Sequence, residues 1–304
     1  MPSVHVHSSQ EREGRDWHKS SCDTRIGTPS TLFNIGNSCY YNALIQCLFH
    51  TNLLPSGNYA KDTLAESLSS LNRKLEGKET ITTSPIDVKK VVGRFKPEFG
   101  SSRQQDEAEL FLLLSEMLPK ELGQTSKFTA AVQGFLTSVI KCGVCLEITT
   151  EKQPFTQLQL AIPEHRRACT LQECWDSEFG ESVLGDAICG FCGQIGSRVR
   201  NYHYELPQVL VVTLKRFCHD DHGSTKNNAY VEAPVHSWSP AEGGPTYSLA
   251  ATVNHRGASI DSGHYVANCL RDKWYLVDDT RSQPILHSSV ISQDNYILFY
   301  VCPP

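Results

Sequence analysis

The chain has 304 residues, 39% of them apolar, enough for the core of one large domain or two small ones. Its net charge of −5, with acidic and basic residues mixed along the chain, excludes the clustered basic surface of a nucleic-acid binder. No apolar run approaches the ~18 residues a membrane-spanning helix needs. Residues 1–27 lack the apolar stretch of a secretory signal, which points to an intracellular protein of cytoplasm or nucleus. In that reducing setting the 12 cysteines read as thiols, metal ligands or a nucleophile rather than disulfides.

Residues 1–27 are too polar to offset the entropy of ordering and read as a flexible tail. Residues 39–49 form a buried helix, with Asn37 or Ser38 placed to cap its start. Helices are also expected over 59–75 and over 104–118, where Ala108, Phe111, Leu114 and Leu118 make one apolar face. After about residue 130 the runs become strand-like, at 135–141, 208–217, 247–254, 264–270, 274–278 and 296–301. Residues 219–246 are rich in Asp, Gly, Ser, Asn and Pro and read mostly as loop. Helices first and strands later make the fold class α+β.

Cys39 follows Gly36-Asn37-Ser38 and opens its helix, where exposed N–H dipoles favour a thiolate. Its backbone N–H would face an acyl oxyanion, and the Asn34 amide could add a donor. His264 begins an apolar strand, and a short turn makes 264–270 and 274–278 a hairpin. Antiparallel pairing then brings Asp278 and Asp279 beside His264. Cysteine, histidine and carboxylate in that order are the parts of a thiol hydrolase of papain-like arrangement. Each part has a plainer reading: a structural cysteine, a surface histidine, a solvated Asp-Asp turn.

Cys142-Gly-Val-Cys145 and Cys189-Gly-Phe-Cys192 are two C-x-x-C knuckles whose four thiolates fit a closed, structural zinc site. The remaining cysteines show no paired spacing and read as small buried residues or incidental thiols.

Together these motifs resemble the ubiquitin-specific proteases. Residues 34–48 resemble that family's cysteine box. His255-Arg-Gly257, Ser262-Gly-His-Tyr265, Trp274 and Asp278-Asp279 resemble its histidine box. Gln104-Gln105-Asp106-x-x-Glu109, Leu206-Pro-x-Val-Leu with Leu214-Lys-Arg-Phe217, and Tyr296-Ile-Leu-Phe-Tyr300 resemble three further motifs in the family's order. Ser38 departs from the family's usual Thr, and Thr213 stands where a histidine is common.

The resemblance implies a single catalytic domain over 28–304: a helical thumb to about 130, zinc-pinned β fingers over 131–205 and a β-rich palm over 206–304. It implies Cys39 as nucleophile, His264 as base, Asp278 as third triad member, Asp279 as a helper and Asn34 as oxyanion donor. Gln105, Asp106 and Glu109 would contact the ubiquitin tail, the two carboxylates bracketing an arginine from one helix face. The implied cofactor is structural Zn2+, and the implied partner is ubiquitin or ubiquitinated protein bound by a monomer, with neither nucleic acid nor membrane. The rival readings are a protease for a ubiquitin-like modifier, a catalytically weak ubiquitin-binding scaffold, and a transglutaminase-type acyltransferase, the last disfavoured by the knuckles and the acidic pair.

Overall fold

The computed structural model describes residues 26–303 apart from 78, 165, 197, 221–222 and 261. The tail expected over 1–27 lies outside the described residues except for its last two. Of these, Gly27 donates its N–H to Asp272 Oδ1 at 3.4 Å and accepts from Arg271.

Helix Cys39–His50 is buried at every residue. A helix with no exposed face needs neighbours all round, and strands Ser262–Leu270 and Ser248–Ser259 with helix Glu107–Leu122 supply that cover. The helix expected over 59–75 starts at Leu64 because the Thr63 side chain caps it, accepting from the Glu66 N–H at 3.2 Å.

The helix expected over 104–118 is displaced to Glu107–Leu122. Asp106 is its N-cap, its carboxylate accepting from the Ala108 N–H at 2.8 Å, so Gln104 and Gln105 remain in the preceding loop. Helices Ile86–Phe95 and Leu171–Phe179 were not expected. The second had a legible start: Thr170 and Glu173 form a capping box.

A seven-stranded sheet carries the later half of the chain. Its spatial order is Arg281–Pro284, Trp274–Asp278, Ser262–Leu270, Ser248–Ser259, Asn295–Val301, Val209–Lys215 and Leu158–Ala161. Neighbours are antiparallel except the last pair. Both faces are covered. Val209, Val211, Ile297 and Phe299 pack toward the helices. Leu210, Val212, Leu214, Leu298 and Tyr300 pack on the other side with Trp175 and Trp238. Alternate residues leave a strand on opposite faces, so a doubly covered strand reads as a continuous apolar run. Each such side chain taken fully from water contributes ~1.5–3 kcal/mol.

A second, four-stranded antiparallel sheet has the order Ile148–Phe155, Gly134–Cys142, Arg198–Glu205, Ser182–Leu184. It is far more exposed, with seven of the eight residues of Ile148–Phe155 at the surface.

The expected loop over 219–246 holds more structure than its composition suggests. Strands Phe217–Asp220 and Gly223–Lys226 form a hairpin, and Tyr230–Glu232 pairs in parallel with Ala168–Thr170. The strand expected over 208–217 therefore ends at Lys215. Arg216, fully buried, fastens the following segment: its Nε donates to Asn295 O at 2.6 Å, and one terminal nitrogen donates to Asn227 O and Ala229 O, each at 2.9 Å.

Candidate active site and four-thiol cluster

The turn before Cys39 is built by its own side chains. Gly36 and Asn37 have φ of +100° and +46°, and Asn34 Oδ1 accepts from the N–H groups of Gly36 and Ser38, both at 3.1 Å. Ser38 stands at the N-cap position without a capping bond, because its Oγ turns back to accept from the Ile35 N–H at 2.9 Å. Cys39 thus becomes the first helical residue, where unpaired N–H groups stabilise negative charge. It is 3% exposed.

The hairpin brings His264 to Asp278 as expected. The register runs Leu270↔Trp274 to Ala267↔Val277, and just beyond it His264 Nε2 donates to Asp278 Oδ1 at 2.6 Å. That bond fixes the imidazole and leaves Nδ1 as the nitrogen able to face Cys39. The His264 pKa is raised to about 9, first by hydrogen bonding to Cys39, then by Asp278, with burial opposing. The imidazole is therefore suited to hold a proton beside the sulfur.

Asp279 has φ +49°, and its carboxylate stands within 4.8 Å of His264 and Asp278 without bonding to either. Its Oδ1 accepts from Asn42 Nδ2 at 2.7 Å and its Oδ2 from Asn34 Nδ2 at 2.9 Å, and its carbonyl accepts from the Leu32 N–H at 3.1 Å. It ties the end of the hairpin to the loop and helix of the nucleophile. The Asn34 amide is accordingly oriented by four contacts, with its nitrogen on Asp279. Asn42, one helical turn past Cys39, joins the site through its contact with Asp279, which no expectation from the sequence included.

Residues 104–109 behave differently from the expected open acidic pair. Asp106 faces inward, bonded to Ala108 N–H and to the Tyr296 hydroxyl, each at 2.8 Å, and burial raises its pKa. Glu109 is exposed and paired with Lys96. Gln105 Nε2 donates to Glu98 O at 3.3 Å. Gln104, expected inside the helix, reaches Cys39 instead: its Nε2 lies 3.9 Å from Cys39 Sγ.

The four knuckle cysteines come together at the tip of the smaller sheet, all sulfurs within 4.8 Å of one another. Each knuckle closes a strand connection, with Leu146 (φ +62°) and Gly193 (φ +71°) in the left-handed region and their N–H groups bonded to Cys142 O and Cys189 O. Cys142 Sγ lies 3.8 Å from Cys192 Sγ, and Cys145 Sγ 3.8 Å from Cys189 Sγ. A tetrahedron with Zn–S bonds of ~2.3 Å has edges of ~3.8 Å, so the cluster fits a zinc site. Backbone N–H groups of Cys192 and Phe191 lower the Cys189 pKa to about 6, and those of Cys145 and Val144 lower Cys142. Thiolates are the form a metal takes.

A thiol at a helix start and an imidazole bonded to a carboxylate are the groups a thiol hydrolase uses. A family profile, Ubiquitin carboxyl-terminal hydrolase, matches residues 31–300, and the chain belongs to that family. It is 28% identical over 311 residues to Ubiquitin carboxyl-terminal hydrolase 17-like protein A of Mus musculus, covering 93% of this chain and 59% of that one. It is 25% identical to Ubiquitin carboxyl-terminal hydrolase 21 of Homo sapiens, covering 88% and 60%. The chain spans about six tenths of the length of these two relatives. The fold is shared with a chain of the SAGA Ubp8/Sgf11/Sus1/Sgf73 DUB module bound to ubiquitin aldehyde, at TM-score 0.73 and 23% identity over 90% of this chain and 70% of that one. A second structure of that module, bound to monoubiquitin, gives TM-score 0.75, 23% identity and 92% and 72% coverage. Among the described residues no helix is long and apolar enough to cross a membrane.

Proposed function

We propose that this chain is a thiol deubiquitinase that hydrolyses the bond after the C-terminal glycine of ubiquitin. The observation that carries the reading is His264 bonded to Asp278 at 2.6 Å, with Cys39 near enough to be the first cause of its raised pKa, in a chain matching the family profile over 31–300. Cys39 Sγ attacks the glycine carbonyl carbon, and the electron pair moves onto oxygen. The backbone N–H of Cys39 and the Asn34 amide stabilise that oxyanion. His264 passes its proton to the departing lysine amine, leaving a thioester. Water, deprotonated by His264, then releases the ubiquitin carboxylate and the free thiol. Asp278 orients the imidazole, and Asp279 positions Asn34.

The helices to about residue 130 form a thumb and 206–304 a palm, with the fingers drawn from 131–205 apart from Leu158–Ala161 and Leu171–Phe179, which join the palm sheet and its cover. Gln105, Asp106 and Glu109 form the tail-binding edge, where an arginine would take the place of Lys96 on Glu109. Cys142, Cys145, Cys189 and Cys192 hold a structural zinc ion that pins the fingers, supported by the fit of their sulfur spacing. An exposed free thiol such as Cys218 suits a reducing intracellular compartment.

Turnover of ubiquitin carrying a C-terminal fluorogenic amide tests the reading, alongside the same amide on ubiquitin-like modifiers. The expected result is hydrolysis of the ubiquitin substrate, lost by at least about 10⁴-fold in Cys39→Ala with an unchanged melting curve. Full activity in Cys39→Ala rejects the nucleophile, and cleavage only of a ubiquitin-like substrate changes the modifier.

A further inference from the structure

The strand bearing His264 is poorly held by its own sheet just where it matters. Pairing with strand Ser248–Ser259 is regular to Arg256↔His264, breaks, and resumes only at Ser259↔Ser262. On the other side the register with Trp274–Asp278 begins at Ala267. Gly263, immediately before the base, therefore has no Cα partner in either neighbouring strand. It must also stay side-chain-free: a Cβ there would stand 2.5 Å from His255 Nε2. The buried His255 ring, its pKa pushed down to about 4 by burial and by Lys226, offers Gly263 a packing surface and no charge.

The partners missing from the sheet come from the loop before helix Glu107–Leu122. Gln104 Nε2 donates to Gly263 O at 2.8 Å, and Gly263 N–H donates to Gln104 Oε1 at 3.1 Å. The two bonds fix the amide plane, as a neighbouring strand would fix a peptide. The amide nitrogen has a second hydrogen, and Nε2 lies 3.9 Å from Cys39 Sγ, within reach of a weak N–H···S bond. One side chain thus touches both the sulfur and the peptide that aims the imidazole.

We propose that Gln104 is a positioning residue of the reaction: its two-point clasp on Gly263 sets His264 against Cys39, and its remaining N–H steadies the sulfur. The proposal rests on Cys39 and His264 being the reacting pair. It assigns Gln104 a task separate from contact with the substrate tail. The clasp also crosses from the helical side of the molecule to the sheet, so it registers the two regions at the point of chemistry.

The test uses the full chain with Gln104→Met, which keeps length and loses both bonds, and Gln104→Glu, which keeps the acceptor for Gly263 N–H and loses the donor. With a ubiquitin C-terminal fluorogenic amide, kcat should fall about 100-fold in both variants, as expected for a misplaced reacting group. KM should change less than about threefold, as for a contact used only after substrate is bound. Melting curves should match wild type. The His264 imidazole resonance followed by NMR across pH should lose part of its elevated midpoint in Gln104→Met, because contact with Cys39 is the largest cause of that elevation. This readout needs no ubiquitin, so it stands apart from the choice of substrate. Unchanged kcat, a rise in KM alone, or an unmoved His264 midpoint would each overturn the proposal.

Discussion

Five of this chain's thiols occupy two settings that share a functional group and little else. Cys39 stands alone at a helix start, facing His264 and covered by Gln104. Cys142, Cys145, Cys189 and Cys192 face one another at a sheet tip, where backbone N–H groups favour charge on Cys142 and Cys189 while the neighbouring thiols hold the Cys145 pKa up. A thiol beside a proton carrier can attack and leave. A thiol among three others has no acid or base at hand and can only coordinate. The difference lies in where the supporting groups come from. The cluster is assembled by two local turns, whereas Cys39 draws on the loop at 34, the loop at 104 and the hairpin ending at 279.

The contrast predicts different failures. The largest belongs to the long-range site: Asp278→Ala should lower kcat by about 10³- to 10⁴-fold, by analogy with removing the orienting carboxylate of a triad. Steady-state kinetics should show this with an unchanged melting temperature. A coincident fall in melting temperature would instead make Asp278 a structural residue. At the cluster the converse holds. Replacing Cys142 and Cys145 by Ser, or removing metal with a chelator, should lower the melting temperature by about 10 °C, and metal analysis of the purified protein should find one zinc per chain. Absence of zinc would leave the four thiols without their assigned role.

Smaller effects sharpen the same division. Glu109→Ala removes an exposed carboxylate that Lys96 already occupies, so KM for ubiquitin should rise only about three- to tenfold, with kcat held. An equal fall in kcat would move Glu109 into the chemistry. The smallest effect is on stability. The folded pKa of His264, about 9, lies above its ordinary 6.5. Its stabilising contribution is complete below pH 6.5 and is lost as pH rises through 9. Urea unfolding of wild type and His264→Ala should differ most below pH 6.5 and converge above pH 9. The side chain is 37% exposed, so solvent screening keeps the difference small.

These settings were also unequally legible. Each knuckle is a short local motif, and Cys39–His50 and the hairpin 264–278 follow from apolar runs with clear ends. Asp278 reached His264 as antiparallel pairing requires. The geometry of the acidic pair, not its proposed role, was misread: i and i+3 on a helix assumes both residues are helical, and Asp106 is the cap, its carboxylate turned onto Ala108 N–H. The same error hid Gln104, which is free to cross to Gly263 only because the helix starts after it. The strands within 217–232 were obscured by polar composition: of Tyr230–Glu232 only Val231 is buried. Asn42 and Asp279 meet across the fold, a contact no local pattern encodes.

The central claim is that one of these thiols, Cys39, is the nucleophile and that ubiquitin reaches it. Purified protein mixed with ubiquitin carrying a thiol-reactive group in place of its C-terminal carboxylate tests this directly. Intact mass and peptide mapping should show a single adduct on Cys39, absent in Cys39→Ala. A folded, zinc-bound protein that forms no adduct, or forms it on another cysteine, would contradict the account.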